Sequence, residues 1–193
     1  MKAKAVETLL LVEPSKANPR NSEGSIIELK DGRLFLAYSR FTGGGADNAP
    51  AQIAARVADH DGKAWSDDRI LVDKEGVENV MSVSLLRLTS GEILMLYLLK
   101  NSWEDCRPYL RRSTDEMQTL SDRTLAIHDK GYFVVNNDRL VQLSSGRRVI
   151  PAALHPCKDG TFKTWDHRGI ALCYLSDDGG RTWRRCRSAL EAP

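Results

Sequence analysis

One pattern recurs three times along the chain and limits its fold more tightly than any other feature. Ser25–Tyr38, Ser84–Tyr97 and Arg139–Ala152 align with one another, each an apolar stretch, a two-residue Asp-Gly or Ser-Gly turn and a second apolar stretch. That is the signature of a β-hairpin. The turn glycines are Gly32, Gly91 and Gly146, spaced by 59 and 55 positions, and a fixed period of this size marks stacked supersecondary units. The stretches are apolar on nearly every residue, so the spacing predicts inner strands buried on both faces by neighbouring sheets.

A second element follows each hairpin. Ser176–Trp183 reads S-x-D-x-G-x-T-W; Ser113–Leu120 keeps the Ser, Asp and Thr but has Met117 for Gly and Leu120 for Trp; Ala58–Trp65 keeps only the Gly and Trp. Asp and Ser or Thr side chains bond the amides of a tight turn, Gly supplies positive φ, and Trp packs the turn onto the sheet. Outer strands are expected at Asp68–Val72, Arg123–His128 and Arg184–Leu190, with Glu7–Val12 as an outer strand ahead of the first hairpin. Each unit is then a four-stranded antiparallel sheet of propeller-blade size: blade 1 over about 20–72, blade 2 over about 79–128 and blade 3 over about 136–190, with 6–13 belonging to a neighbouring blade. The fold class is all-β, a β-propeller segment across 1–193.

Composition narrows the partners. With 28 Lys+Arg against 26 Asp+Glu the net charge is only +2, and no basic run supplies the concentrated field that nucleic-acid or membrane-surface binding needs. Leu9–Val12 is too short an apolar core for a secretory signal, and Ile93–Leu99 is far too short to span a bilayer. Cys106, Cys157, Cys173 and Cys186 form no C-x-x-C pair and read as reduced thiols. The expectation is a cytoplasmic chain, or a secreted one if its N-terminus is trimmed. His155, Cys157, His167 and Cys173 match no standard metal-ligand spacing, and no Walker A, G-x-S-x-G or dinucleotide fingerprint occurs. Neither metal nor cofactor is expected.

The S-x-D-x-G-x-T-W turn is the Asp-box, and with the repeated hairpins the chain, from Arg20 to Trp183, resembles the sialidase (neuraminidase) superfamily of six-bladed β-propellers. The resemblance implies an exo-α-sialidase-type glycoside hydrolase: three arginines hold the sugar carboxylate, an Asp is the acid/base and a Tyr activated by a Glu is the nucleophile. Guanidinium forks match a carboxylate in geometry as well as charge. The family's first arginine falls on Arg20, just before the first inner strand, and its acid/base on Asp47 in the Gly43–Asp47 loop. Arg40 also matches a position where the family often carries an arginine. The family's usual R-I-P is altered, since Asn21 and Ser22 follow Arg20 and Pro19 precedes it. The Tyr, its Glu and the other two arginines come from later blades in the family, and no tyrosine here stands in a matching position.

Blade geometry gathers the entering loops, and the loops joining second to third strands, on one face. Counting back twelve positions from Gly32 and Gly91 makes Arg20 and Asn79 equivalent. The same face is expected to hold Asn137, Asp138, Arg139 and Arg107, which with Arg20, Arg40 and Asn79 form the expected substrate-binding set. Each has a plainer reading: Arg20 as a strand-entry cap, Asp47 as a turn residue, Asp138 and Arg139 satisfying each other or the backbone. Trp103 and Trp165 either stack on a sugar or serve the core. The expected partner is an acidic, sialic-acid-like glycan. A non-catalytic carbohydrate-binding or scaffold propeller, and a propeller hydrolase or lyase acting on another glycan, remain alternatives. Three blades do not close a ring, so the chain is expected either to belong to a longer protein or to pair with a second copy as a homodimer.

Overall fold

The computed structural model describes residues 7–191. Its strands are β1 (Arg20–Glu28), β2 (Leu34–Phe41), β3 (Ala51–Ala58), β4 (Arg69–Val72), β5 (Asn79–Arg87), β6 (Ile93–Ser102), β7 (Asp105–Ser113), β8 (Thr124–Leu125), β9 (Tyr132–Val134), β10 (Val141–Gln142), β11 (Arg148–His155), β12 (Ile170–Ser176) and β13 (Arg184–Arg185). Among the described residues the only helical piece is a 3-10 turn at Phe162–Thr164.

Each unit is an antiparallel meander, as the repeat requires: β1 to β4 pair in order, and so do β5 to β8. In the third unit the innermost strand is split. β9 pairs with one end of β11 and β10 with the other, while β12 and β13 follow outward. This strand therefore begins at Tyr132, earlier than the expected 136. A single parallel pairing of Cys106 with Tyr132 laces the second unit to the third.

The units stack as adjacent blades with a core between each pair. Phe35, Ile53, Val83, Met95 and Tyr97 fill the first interface; Leu96, Leu110, Phe133, Ile150 and Tyr174 fill the second. Burial on both faces holds for β5 and most of β6, which lie in the middle blade. The outer blades have one uncovered face, and there Ile26 is 49% exposed and Val141 43%. No strand forms at Glu7–Val12, and Val6 lies outside the described residues. Instead Leu10, Leu11 and Val12 lie against Leu36 and Tyr38 on the open face of the first blade, around a cavity of about 320 Å³.

The turns follow the chemistry read from the sequence. Gly32, Gly91 and Gly146 all take φ between 82° and 88°, and each amide donates to the carbonyl three residues earlier at 2.9 Å. In the complete Asp-box, Asp178 accepts from the Thr182 hydroxyl at 2.6 Å, and Ser176 accepts from the Gly180 amide at 2.8 Å. Asp115 repeats this in the second turn, with the Thr119 hydroxyl at 2.5 Å and its amide at 2.9 Å. Those Thr119 bonds, helped by Ser113, hold the Asp115 carboxyl at about 2, below its ordinary 3.8. In the third turn burial pushes the Asp178 carboxyl up, but Thr182, Ser176 and the Arg181 amide outweigh it and leave it well below the usual range. A depressed folded-state value means these bonds contribute stability above about pH 4 and lose it as pH falls through the folded value. A carboxyl-carbon NMR titration is expected to place the Asp115 midpoint near 2; a midpoint at the ordinary 3.8 would show that the turn does not form.

The second box puts Glu116 and Met117 where the third has Gly179 and Gly180, yet all four take positive φ. For Met117 this costs about 1–2 kcal/mol, offset by full burial of its side chain, which contributes about 1.5–3 kcal/mol. Met117→Ala loses the burial and keeps the strain; Met117→Gly loses the burial and relieves the strain. In urea denaturation Gly is expected to be about 1 kcal/mol less destabilising than Ala at this position. The opposite order would remove strain from the account.

Candidate functional site

The start of β1, the end of β2 and the loop 42–50 meet at one end of the first blade. There the Arg20 guanidinium is bound from several sides. Nε donates to the Ser22 hydroxyl at 3.0 Å, Nη2 to Glu23 Oε1 at 3.2 Å, and Nη1 to the Gly45 carbonyl at 3.2 Å and to Asp47 Oδ1 at 2.5 Å. The cation also lies 4.3 Å over the Phe41 ring. Planar, forked and packed on an aromatic face, Arg20 is preorganised for a carboxylate. Asp47, with a side chain 67% exposed, is the member of the set most open to solvent.

Asn79, at the matching start of β5, braces that loop: its Nδ2 donates to the carbonyls of Asp47 at 2.9 Å and Ala49 at 2.8 Å. Arg20, Asp47 and Asn79 thus converge although the first and last are 59 residues apart. Side chains alternate across a strand. Ser39 and Phe41 face Glu23 and Arg20, so Arg40 between them projects from the other face of the sheet, where it meets Asp68 at 3.2 Å and Gln52 at 3.1 Å. Arg107, on β7, is held by Asp105 at 2.5 Å and faces away from Lys100 on the neighbouring strand.

Asn137, Asp138 and Arg139 sit within the break between β9 and β10 rather than in a loop entering the blade. A sharp bend in each innermost strand explains this. Glu23, Ser82 and Asp138 all have φ of 56–57°, and the pairing register slips at the first two. The three bends meet in a hydrogen-bonded hub. Ser25 donates to Asp138 at 2.7 Å, Asn137 to the Gly24 carbonyl at 2.9 Å, and the Arg139 amide to Ser84 at 3.0 Å. Ser39 donates to Glu23 at 2.9 Å and the Ser82 amide does so at 3.1 Å. Left-handed φ at non-glycine residues costs about 1–3 kcal/mol each, and here these contacts hold it.

Four further residues complete this end of the molecule. Glu23 steadies Arg20. Lys100, 0% exposed, lies 3.1 Å from Glu78 and 4.2 Å over the Trp103 ring. Tyr132 stacks on Trp103 with centroids 5.3 Å apart. Burial raises the Tyr132 phenol, and Cys106, Asp47, Glu78 and Glu23 add to that rise. One signal for Lys100 was present in the sequence: a lone charge closing an otherwise apolar strand must find a partner. Glu23 gave none, because its role depends on the bend in β1. Among the described residues no group of three or more His, Cys, Asp or Glu side chains is placed to hold a metal ion.

No curated protein matches the chain in sequence. Solved structures share its fold. A Hadza microbial sialidase, Hz136, superposes with a TM-score of 0.69 at 15% identity, over 88% of this chain and 37% of that one. A protein of unknown function from Dyadobacter fermentans gives 0.70 at 16%, over 91% and 56%. Trypanosoma rangeli sialidase in complex with sialic acid gives 0.58 at 17%, over 88% and 30%. The chain thus spans between about a third and just over half of these structures. The BNR repeat-like domain family matches residues 32–191, which hold all three hairpin glycines and all three Asp-box turns. With the stacked antiparallel blades, this match places the chain in the sialidase/BNR-repeat superfamily.

Proposed function

We propose that the chain carries the carboxylate-binding and acid/base half of a glycoside hydrolase site that removes a terminal acidic sugar of the sialic acid type. The observation carrying this reading is the direct Arg20–Asp47 contact, formed across 27 residues at the end of the strands where the entering loops meet. An incoming carboxylate competes with Asp47 for the Arg20 fork. Once displaced, the Asp47 carboxyl is free to take up a proton and deliver it to the glycosidic oxygen. Glu23 keeps Arg20 in place throughout, because the Ser39 hydroxyl and the Ser82 amide anchor it from behind. The likeness to sialidases supports the substrate class.

Tyr132 is not assigned as the nucleophile, since its phenol is shifted away from ionisation at neutral pH. The same Arg20–Asp47 contact also fits a second reading, a carbohydrate-binding propeller in which Asp47 only clasps Arg20 and supplies no chemistry. Release of fluorophore from a fluorogenic α-sialoside separates them. Assayed with the chain joined to the later blades that complete the family's site, turnover that disappears in Asp47→Asn supports the hydrolase; binding of free sialic acid without turnover supports the binding module; the absence of both overturns both readings.

A further inference from the structure

At the rim of the third blade, away from Arg20 and Asp47, two of the four cysteines stand opposite each other. β12 and β13 pair Leu175 with Arg184 and Tyr174 with Arg185, so the next step along the ladder is Cys173 with Cys186. The Cys186 amide donates to the Cys173 carbonyl at 2.8 Å. The return bond goes to sulfur: the Cys173 amide donates to Cys186 Sγ at 3.2 Å. A bulge explains this, because the following bridge joins Ala171 to Leu190, two residues further along the chain than an unbroken ladder would reach. The Cys186 sulfur thus takes the place of a ladder carbonyl and lies against the residue it faces. Opposed residues of a bonded antiparallel pair have Cα atoms about 5.5 Å apart, within the roughly 4.4–6.8 Å that a disulfide spans.

Both thiols are free and half-buried. The other two cysteines face no cysteine: Cys106 is buried opposite Lys100, and Cys157 is bridged to Trp165. Burial, with Cys186 close by, raises the Cys173 thiol above its ordinary value. Cys186 is flanked by Arg184, Arg185 and Arg187, all exposed, in a stretch that holds no acid. Of these three arginines, only Arg184 is in an ion pair among the described residues, 3.5 Å from Asp177. A local field of this sign draws small anions.

We propose that Cys186 and Cys173 are a reversible redox pair, oxidised to a cross-strand disulfide by an anionic low-molecular-weight disulfide of the oxidised glutathione type. The Cys186 sulfur attacks one sulfur of the reagent, and the first glutathione leaves with the Cys186 proton. The Cys173 sulfur then attacks the Cys186 sulfur of the mixed disulfide, and the second glutathione leaves with the Cys173 proton. Two protein thiols are oxidised and one small disulfide is reduced to two thiols. A half-exposed cysteine set against a resolving partner is the arrangement redox-sensing thiols use. The new bond closes a loop around the complete Asp-box and ties the two-residue β13 to β12, which fixes the rim of the blade.

Peptide mapping by mass spectrometry, after the full reduced chain is treated with oxidised glutathione, tests this. The expected product is a Cys173–Cys186 cross-link, two hydrogens lighter, that dithiothreitol reverses. Cys173→Ser should keep glutathione on Cys186, and Cys186→Ser should give no cross-link. In Arg185→Gln/Arg187→Gln the cross-link should form at least about threefold more slowly with oxidised glutathione, and at an unchanged rate with neutral hydroxyethyl disulfide. Free thiols at both positions after treatment, glutathione retained on Cys186 of the unsubstituted protein, or a cross-link made to Cys157 would overturn the pair. Equal slowing with both reagents would overturn the role of the arginines. The map of the unsubstituted protein decides the cross-link whether or not the variants fold.

Discussion

Arg20→Ala is expected to weaken binding of free sialic acid by at least about thirtyfold, because truncating one member of a hydrogen-bonded charge pair costs about 2–5 kcal/mol. The loss has two sources. The bidentate fork disappears, and Asp47 and Glu23, which both contact Arg20 in the free chain, are left unopposed and repel the incoming carboxylate. Arg20→Lys restores the charge but not the fork, so it should recover part of the affinity. Asp47→Asn separates binding from chemistry. It removes a competitor for the guanidinium, so affinity for the acid should hold or rise, while turnover falls by about 10²–10⁴ as expected for a lost general acid. Equal losses of affinity in Arg20→Ala and Asp47→Asn, measured by calorimetry, would show that the pair is a structural clasp and not a ligand site.

That pair was legible because its two members stand at fixed places relative to a repeated hairpin. Gly32 and Gly91 set the register and made Arg20 and Asn79 equivalent, while the resemblance to sialidases singled out Arg20 and picked Asp47 from the loop after the second strand. Arg40 shows where such reasoning ends. A position at the end of the second strand is right to within one residue, but the period of two sends Arg40 to Asp68 on one face and Phe41 to Arg20 on the other. Asn137 and Asp138 were misplaced for a related reason. The break in the third inner strand moves its start back to Tyr132, and a left-handed Asp138 has no sequence signature as plain as a glycine. Tyr132 escaped because its contact with Trp103 runs between blades, and Glu78 because its pairing with Lys100 depends on where the first two strands of the second blade come into register, neither of which a one-dimensional pattern records.

Glu78→Gln should destabilise the fold by about 3–5 kcal/mol, more than Lys100→Met, although Lys100 is the more buried of the two. The Lys100 ammonium is wholly enclosed, while the Glu78 side chain is 24% exposed. The two charges lie 3.1 Å apart, yet Lys100 Nζ and the facing Glu78 Oε2 are not aligned for a hydrogen bond with each other or with another group. Their attraction is therefore chiefly coulombic, and it is what balances the desolvation of the lysine. Neutralising Glu78 leaves a buried cation supported only by the Trp103 and Tyr132 rings at 4.2 and 5.3 Å, worth about 2 kcal/mol when desolvated. Replacing Lys100 with methionine leaves a carboxylate that water still reaches, and puts a flexible apolar chain against two aromatic rings. The double variant Glu78→Gln/Lys100→Met should then recover most of the loss from Glu78→Gln alone, a coupling that denaturant unfolding of the four proteins measures directly. Because a domain of this kind has only about 5–15 kcal/mol in all, Glu78→Gln should also be visibly more sensitive to heat. If Lys100→Met proves the costlier change, packing of the lysine stem, and not the enclosed charge, dominates this end of the second blade.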